Sequence, residues 1–346
     1  MFRRLTTALP AAVLAASFAA CAKGDTRTAA APRGDSAASS AQATATQASA
    51  SAGEVTGGSA PNTAGRIPVL EYHVIGGEKN ALYTRTVASF KADLEEVYKR
   101  GYRPITMAQM LDKDWRDVPT GMAPVVFVFD DASPEQFSYL GEPGKIDPNS
   151  AVGIWLDFAK THPGWKNRAV FCMLNGGAAG HNFFGDSPKF KGQQKAWRFQ
   201  KVQWLNQQGF ELCAHTLWHA RLDKYSDAVV QEQIARGLMA IDSAVPGYKV
   251  RSFALPLGVW PKNRALAKSG SWTDPKTGKT VKYDFDAIFE VWGSPVPSPY
   301  SPSFNPLSVQ RLKVTGNSLP NALDHLDRTG ERYVSDGNAS VVARRQ

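Results

Sequence analysis

The sequence predicts an α/β fold around a mainly parallel sheet, because continuously apolar runs alternate with amphipathic helical patterns. Val125–Phe129 (VVFVF), Ala169–Leu174 and Phe210–Ala214 are apolar almost throughout, as strands covered on both faces should be. Between and after them come helix-period residues: Trp197, Trp204 and Leu205 within Gln193–Gln208, then Val230, Ile234, Leu238 and Ile241 within Asp227–Ala244. No linker composition follows residue 66, so the rest of the chain reads as one domain.

Taken in order, Ile67–Leu70 opens the first strand, with Pro68 tolerated at its start. Ser89–Arg100 reads as a helix with Phe90, Leu94, Val97 and Tyr98 on one face and Gly101 as its stop. Further strands are expected at Val250–Leu255, Ala287–Val291 and Val309–Val314, the last two separated by a Pro-rich loop at 295–306.

Composition narrows the classes. Of 346 residues, 43% are hydrophobic and 21% charged, which supports a sizeable core and excludes wholesale disorder. No long apolar run follows the first one, so a polytopic membrane protein is excluded. The net charge of +9 comes without a dense Lys/Arg block interleaved with aromatics, so no nucleic-acid partner is expected. Mild basicity suits an anionic envelope or polymer surface.

Met1–Ala20 has the parts of a secretory signal: Arg3 and Arg4, the apolar stretch Leu5–Phe18, then Ala19 and Ala20 before Cys21. Phe18-Ala19-Ala20-Cys21 resembles a bacterial lipobox, which implies cleavage before Cys21 and lipidation of its thiol. Residues 21–65, rich in Ala, Ser and Thr, cannot offset their chain entropy by burial and read as a flexible tether. The expected organisation is a signal at 1–20, a lipidated tether at 21–65 and a catalytic domain at 66–346. The expected location is the cell envelope, anchored by lipid to a membrane; Ala22 suits the outer membrane. Cys172 and Cys213 lie in apolar runs, where small buried thiols are the ordinary reading and a disulfide the alternative that geometry decides.

The chemistry concentrates at two predicted strand ends. Asp130 and Asp131 follow VVFVF, and His215 and His219 (HTLWH) follow Phe210–Ala214. In parallel α/β sheets functional groups gather at that end. A spacing of four puts both imidazoles on one face if the chain turns helically there, and a carboxylate with two imidazoles leaves an open metal position. The second carboxylate is then free to take a proton from water.

These residues resemble the polysaccharide deacetylase (NodB-homology, carbohydrate esterase family 4) domain: Phe129-Asp130-Asp131, His215-Thr216-Leu217-Trp218-His219 and Pro256-Leu257-Gly258 come in its order and spacing, supported by Pro68–His73 and Lys99–Tyr102. The resemblance implies a distorted (β/α) barrel of about seven parallel strands. It also implies Asp130 as general base, Asp131, His215 and His219 as ligands of a divalent metal, usually zinc, and the Leu257 backbone N–H as oxyanion donor. The implied activity is removal of N-acetyl groups from an acetylated glycan, peptidoglycan or exopolysaccharide. Two departures stand out. Ala254 occupies the place of the family's base-orienting Arg, with Arg251 three residues away and so on the opposite strand face, and no late Leu-x-x-His supplies a catalytic acid. His325 reads as a surface residue, His162 and His181 as loop residues, and His73 as either site-lining or core. The departures keep open a glycan-binding pseudoenzyme, and a related amidase or O-acetyl esterase is the third reading.

Overall fold

The computed structural model describes residues 60–177 and 181–337, so the expected signal, Cys21 and nearly all of the tether lie outside the described residues. Packing begins slightly ahead of the expected edge at residue 66. Asn62 bridges Val334 in antiparallel fashion, and its side chain donates to the carbonyls of Gly330 and Arg332.

Eight short strands build the sheet: β1 Val69–Tyr72, β2 Tyr102–Ile105, β3 Ala123–Phe129, β4 Val170–Met173, β5 Glu211–Ala214, β6 Ser252–Ala254, β7 Ala287–Phe289 and β8 Leu312–Lys313. All pair in parallel, in the order β7-β6-β5-β4-β3-β1-β8, with β2 also on β3. The segment leading into β8 reaches back to β7, where Val309 N–H donates to Ile288 O and Glu290 N–H to Val309 O. That bridge carries the curled sheet round into a distorted barrel of parallel strands.

The helices are α1 Val87–Lys99, α2 Met107–Asp112, α3 Ala151–Thr161, α4 Arg198–Gln208, α5 Asp227–Ala244, a single turn α6 Ala265–Lys268, and α7 Ser318–Thr329. Their starts follow local chemistry. Thr86 caps α1 by accepting from Ser89 N–H, Thr106 and Gln109 form a reciprocal capping box on α2, and Ser150 caps α3. Gly209, at φ 92°, stops α4 in the left-handed region. An exposed hairpin, Ser269–Thr273 with Thr280–Asp284, lies between α6 and β7.

Because strand side chains alternate, each strand feeds two cores. Leu70, Phe127, Phe129, Phe171 and Leu212 pack outward with Phe90 and Leu94 of α1, Trp155 of α3 and Leu205 of α4. Val69, Val126, Val128, Val170, Cys172, Cys213, Ala254, Ala287, Phe289 and Val309 pack inward. Cys172 stands opposite Cys213 in the β4–β5 register, and a disulfide joins them. Burial of both matches the expectation; the bond replaces the expected free thiols, because register sets the two Cα atoms 4.2 Å apart.

Candidate active site

Continuing the inward alternation past the apolar layer brings charge to the C-terminal mouth of the barrel. Val69 leads to Glu71 and His73, Val128 to Asp130, Cys213 to His215, and Val309 to Arg311 and Lys313. Glu71, Asp130, His215, Arg311 and Lys313 are all buried. With Asp131, His219, Tyr83, His181, Leu257 and Val291 around the rim, they surround a cavity of about 290 Å³, although Arg311 and Lys313 stand behind its wall rather than on it.

The chain leaves β3 through a strained turn. Asp131 has φ 77° and Ala132 φ 49°, the left-handed region that non-glycine residues occupy at a cost. Gln136 holds this turn by donating from its side-chain amide to the carbonyls of both His73 and Asp130. After β5 the HTLWH segment forms a turn rather than the helical turn expected. Thr216 has φ 66° and His219 φ 65°, and the Thr216 hydroxyl accepts from the N–H groups of His219 and Ala220. Helix α5 packs against this turn at Gly237, where a Cβ would lie 2.9 Å from the Thr216 carbonyl carbon and oxygen.

The two turns bring three of the four predicted residues to one point. Asp131 Oδ1 is 3.4 Å from His215 Nε2 and 3.6 Å from His219 Nε2, and the three ligand atoms lie within 4.8 Å of one another. His215 Nδ1 donates to Ala254 O at 2.9 Å, which fixes the tautomer and leaves the Nε2 lone pair free. That Nε2 is buried without a hydrogen-bond partner among the described residues. An orphaned imidazole nitrogen facing a carboxylate and a second imidazole is a donor set suited to a divalent cation.

Asp130 stands beside this cluster, and Arg311 Nη1 donates to its Oδ1 at 2.7 Å. Arg311 is fully buried, donates from Nε to Glu290 O at 2.7 Å, and stands 3.6 Å from Glu71 Oε2. Lys313 Nζ lies 3.8 Å from Glu71 Oε1. Two carboxylates and two cations are thus buried together, close to neutral in sum. Arg311 makes to Asp130 a contact that the Ala254 side chain cannot. Arg251 is turned away, bound to Asp112 and Asp286.

Electrostatics follow this arrangement. Burial pushes the Asp130 carboxyl up, but the Arg311 and His215 charges outweigh it and hold it below the usual carboxylate range. Burial likewise opposes ionisation of Asp131, and the adjacent His215, with His73 and His219 behind it, overcomes that and holds the carboxyl well below the usual range. Burial lowers His215 while Asp130 and Asp131 raise it, with a net rise. Burial and then the His215 charge push His219 down to about 4, and burial takes His73 down to about 4. Glu71, desolvated and only partly compensated by Arg311, is pushed up to about 7.

Leu257, at φ 58°, lies on the cavity wall in the turn after β6, where the Gly258 and Val259 amides fold back onto Leu255 and Pro256. His73 and His181 also line the cavity, His181 from the loop expected for it. His162 lies elsewhere, its Nε2 3.1 Å from Glu95, and His325 is exposed beside Glu331, as expected. The sequence does not single out Arg311, Lys313 or Glu71. Their signal is charge at inward positions of strands whose other inward residues are apolar.

The fold and this placement define a NodB-type parallel barrel with its polar groups at the strand C-termini. Residues 166–270, a stretch that holds both histidines and Pro256–Gly258, match the polysaccharide deacetylase family model. The Asp130–Asp131 pair lies outside the matched stretch and joins it through the fold. Solved structures agree in fold. Streptococcus pyogenes deacetylase PplD, solved with acetate, is 16% identical with a TM-score of 0.52, over 77% of this chain and 98% of that one. The Bacillus anthracis protein BA0330 is 16% identical with a TM-score of 0.50, over 74% of this chain and 68% of that one. No curated protein matches the sequence.

Proposed function

We propose that the protein is a metal-dependent hydrolase that removes N-acetyl groups from an envelope or extracellular polysaccharide. The observation that carries this reading is the convergence of Asp131, His215 and His219 beside a separate, arginine-bonded Asp130 at the barrel mouth. Asp131, His215 and His219 would hold the divalent cation, with zinc favoured by two imidazoles and one carboxylate. When bound, such a cation polarises the acetamide carbonyl and acidifies water.

Asp130 accepts the proton of the attacking water. Arg311 keeps that carboxylate ionised and occupies Oδ1, leaving Oδ2 for the water. The Leu257 N–H donates to the carbonyl oxygen as negative charge develops on it. The amine nitrogen needs a proton to leave. Asp130, once protonated, and His73 on the same wall are the groups placed to pass one. The pseudoenzyme reading drew on an unoriented base and on the lack of a late Leu-x-x-His acid; Arg311 beside Asp130 answers the first of these and not the second. The reading also includes a lipid anchor at Cys21 that holds the domain at the envelope, supported by the lipobox-like sequence and the tether.

The test is acetate release from N-acetylated and O-acetylated oligosaccharides by the zinc-loaded protein and by Asp130→Asn. The variant is expected to bind zinc yet lose turnover by a factor of at least 10²–10⁴, the range for a positioned general base. Retained turnover would remove the base assignment, and preference for the O-acetyl ester would change the bond assigned.

A further inference from the structure

Lys201, on α4, is a buried cation with no part in the chemistry at the barrel mouth. It has no exposed surface, and among the described residues no carboxylate pairs with it. Desolvation, with the Lys191 charge adding to it, pushes its ammonium down to about 7. Burying an amine without an anion is expensive, and an apolar side chain of similar length would fill the space without that cost. In place of an anion Lys201 has a backbone carbonyl: its Nζ donates to Phe184 O at 2.7 Å. The Tyr139 ring, centred 5.6 Å away, adds a weaker attraction.

The reason for the lysine therefore lies in what Phe184 holds. Phe183 (φ 46°), Phe184 (φ 68°) and Gly185 (φ 87°) are three successive residues in the left-handed region, two of them bulky. Such a run is strained and persists only where its surroundings fix it. Phe183 N–H donates to Leu174 O at 3.0 Å, just past β4, and Phe184 N–H donates to Ala132 O at 2.8 Å. Ala132 is itself left-handed and directly follows Asp131, so two strained turns brace each other through one hydrogen bond. Both phenylalanine side chains are fully buried, which fixes the second turn from its other side.

We propose that Lys201 is a positioning residue of the metal site, acting through Phe184 and Ala132 to hold the Asp131 carboxylate where it meets His215 and His219. The path is short and continuous. The ammonium fixes the Phe184 carbonyl, the Phe184 N–H fixes the Ala132 carbonyl, and the Ala132 backbone sets the direction in which Asp131 leaves β3. A lysine suits the place because its long stem crosses an apolar layer and its charge strengthens a bond to a neutral carbonyl. The same loop carries His181 to the cavity wall, two residues ahead of Phe183. The inference rests on the reading of Asp131, His215 and His219 as metal ligands.

The test is zinc affinity, by competition titration, in wild type, Lys201→Met, Lys201→Arg and Trp155→Phe. Trp155 is a core residue of α3 whose ring packs on Phe127, Trp165 and Phe210, away from both turns. Lys201→Met keeps the stem and removes the donor, and should weaken zinc about tenfold or more, as loss of an outer partner of a metal ligand does. Lys201→Arg keeps a cationic donor and should recover most of the affinity. Trp155→Phe, which loosens the core alone, should bind zinc as wild type does. In wild type by itself, zinc should slow hydrogen exchange at the Phe184 amide, a readout that stands even where a variant fails to fold. Zinc affinity undiminished in Lys201→Met, lost equally in Trp155→Phe or not recovered in Lys201→Arg overturns the positioning role and leaves the metal site standing. Phe184 exchange indifferent to zinc does the same. A wild type that binds no zinc overturns the metal reading and the role of Lys201 with it.

Discussion

Replacing Arg311 by Met tests the electrostatic core of the site. The guanidinium is fully buried and its Nη1 lies 2.7 Å from Asp130 Oδ1. Taking the charge centres as roughly 4 Å apart and an effective dielectric near 20, the attraction is about 4 kcal/mol, or about 3 units of carboxyl pKa. Without it, only the His215 and His73 charges oppose burial at Asp130, and the acid limb of the kcat/KM profile should move up by about 2–3 pH units. From a start below the usual carboxylate value of 3.8, activity near pH 5 would fall by up to about ten- to fiftyfold and recover as pH rises. Breaking a buried pair also costs stability, about 3–5 kcal/mol.

The structure supplies a control for that cost. Arg311→Met leaves Glu71 and Asp130 with Lys313 as the one nearby buried cation of this group. Adding Glu71→Gln restores one anion to one cation. Urea unfolding should therefore show the double variant more stable at pH 8 than Arg311→Met alone, a coupling between residues that are 3.6 Å apart. Acetate release over pH 5–9 gives the other readout. An acid limb unmoved by Arg311→Met, with a double variant no more stable than the single one, would refute the charge-balance account.

Glu71→Gln alone tests the raised pKa of Glu71. A folded value of about 7 against 4.5 unfolded means stability present below pH 4.5 is lost as pH rises through 7. Wild type should thus lose about 3 kcal/mol relative to Glu71→Gln between pH 4.5 and 8 in urea melts, and parallel curves would show an unshifted group. Chelation should abolish acetate release and added zinc restore it. His215→Ala and His219→Ala should each weaken zinc at least a hundredfold by titration, and undiminished affinity in both would place the metal elsewhere. Gly237→Ala gains up to about 1 kcal/mol of helix propensity but drives a methyl into the Thr216 carbonyl. A net loss of about 1–3 kcal/mol with weakened zinc binding is expected, and a stabilised variant with normal zinc would show that the turn yields freely.

Much of the fold is written locally. Asp227–Ala244 is helical over the same residues that its apolar spacing marks, and the Val125–Phe129 run lies within β3. The elements that escape a sequence reading lack such signals. β2 (YRPI) contains an Arg and a Pro, and α3 (AVGIWLDFAKT) has a Gly in its first turn. Each is buried by what packs on it rather than by its own pattern. Asp130, Asp131, His215 and His219 are legible because each pair sits at the end of an apolar strand. Arg311 is not, because the expected role belongs to another strand and only the closed barrel brings β8 beside β3's neighbour β1.

That exchange says what the chemistry constrains. A cation that pairs with Asp130 has to reach it from inside the barrel, and any inward position near the mouth can provide one. Ala254 is inward but small, and its carbonyl is already engaged in orienting His215. Val309, Arg311 and Lys313 share the inward face of the closing strand, so moving the guanidinium there adds a second cation, and Glu71 on the adjacent strand balances it. The same step sets Lys313 beneath Tyr83 and Trp292. One strand therefore couples the ionisation of Asp130 to the placement of the aromatic rim, and a change in either Glu71 or Lys313 should be felt at both.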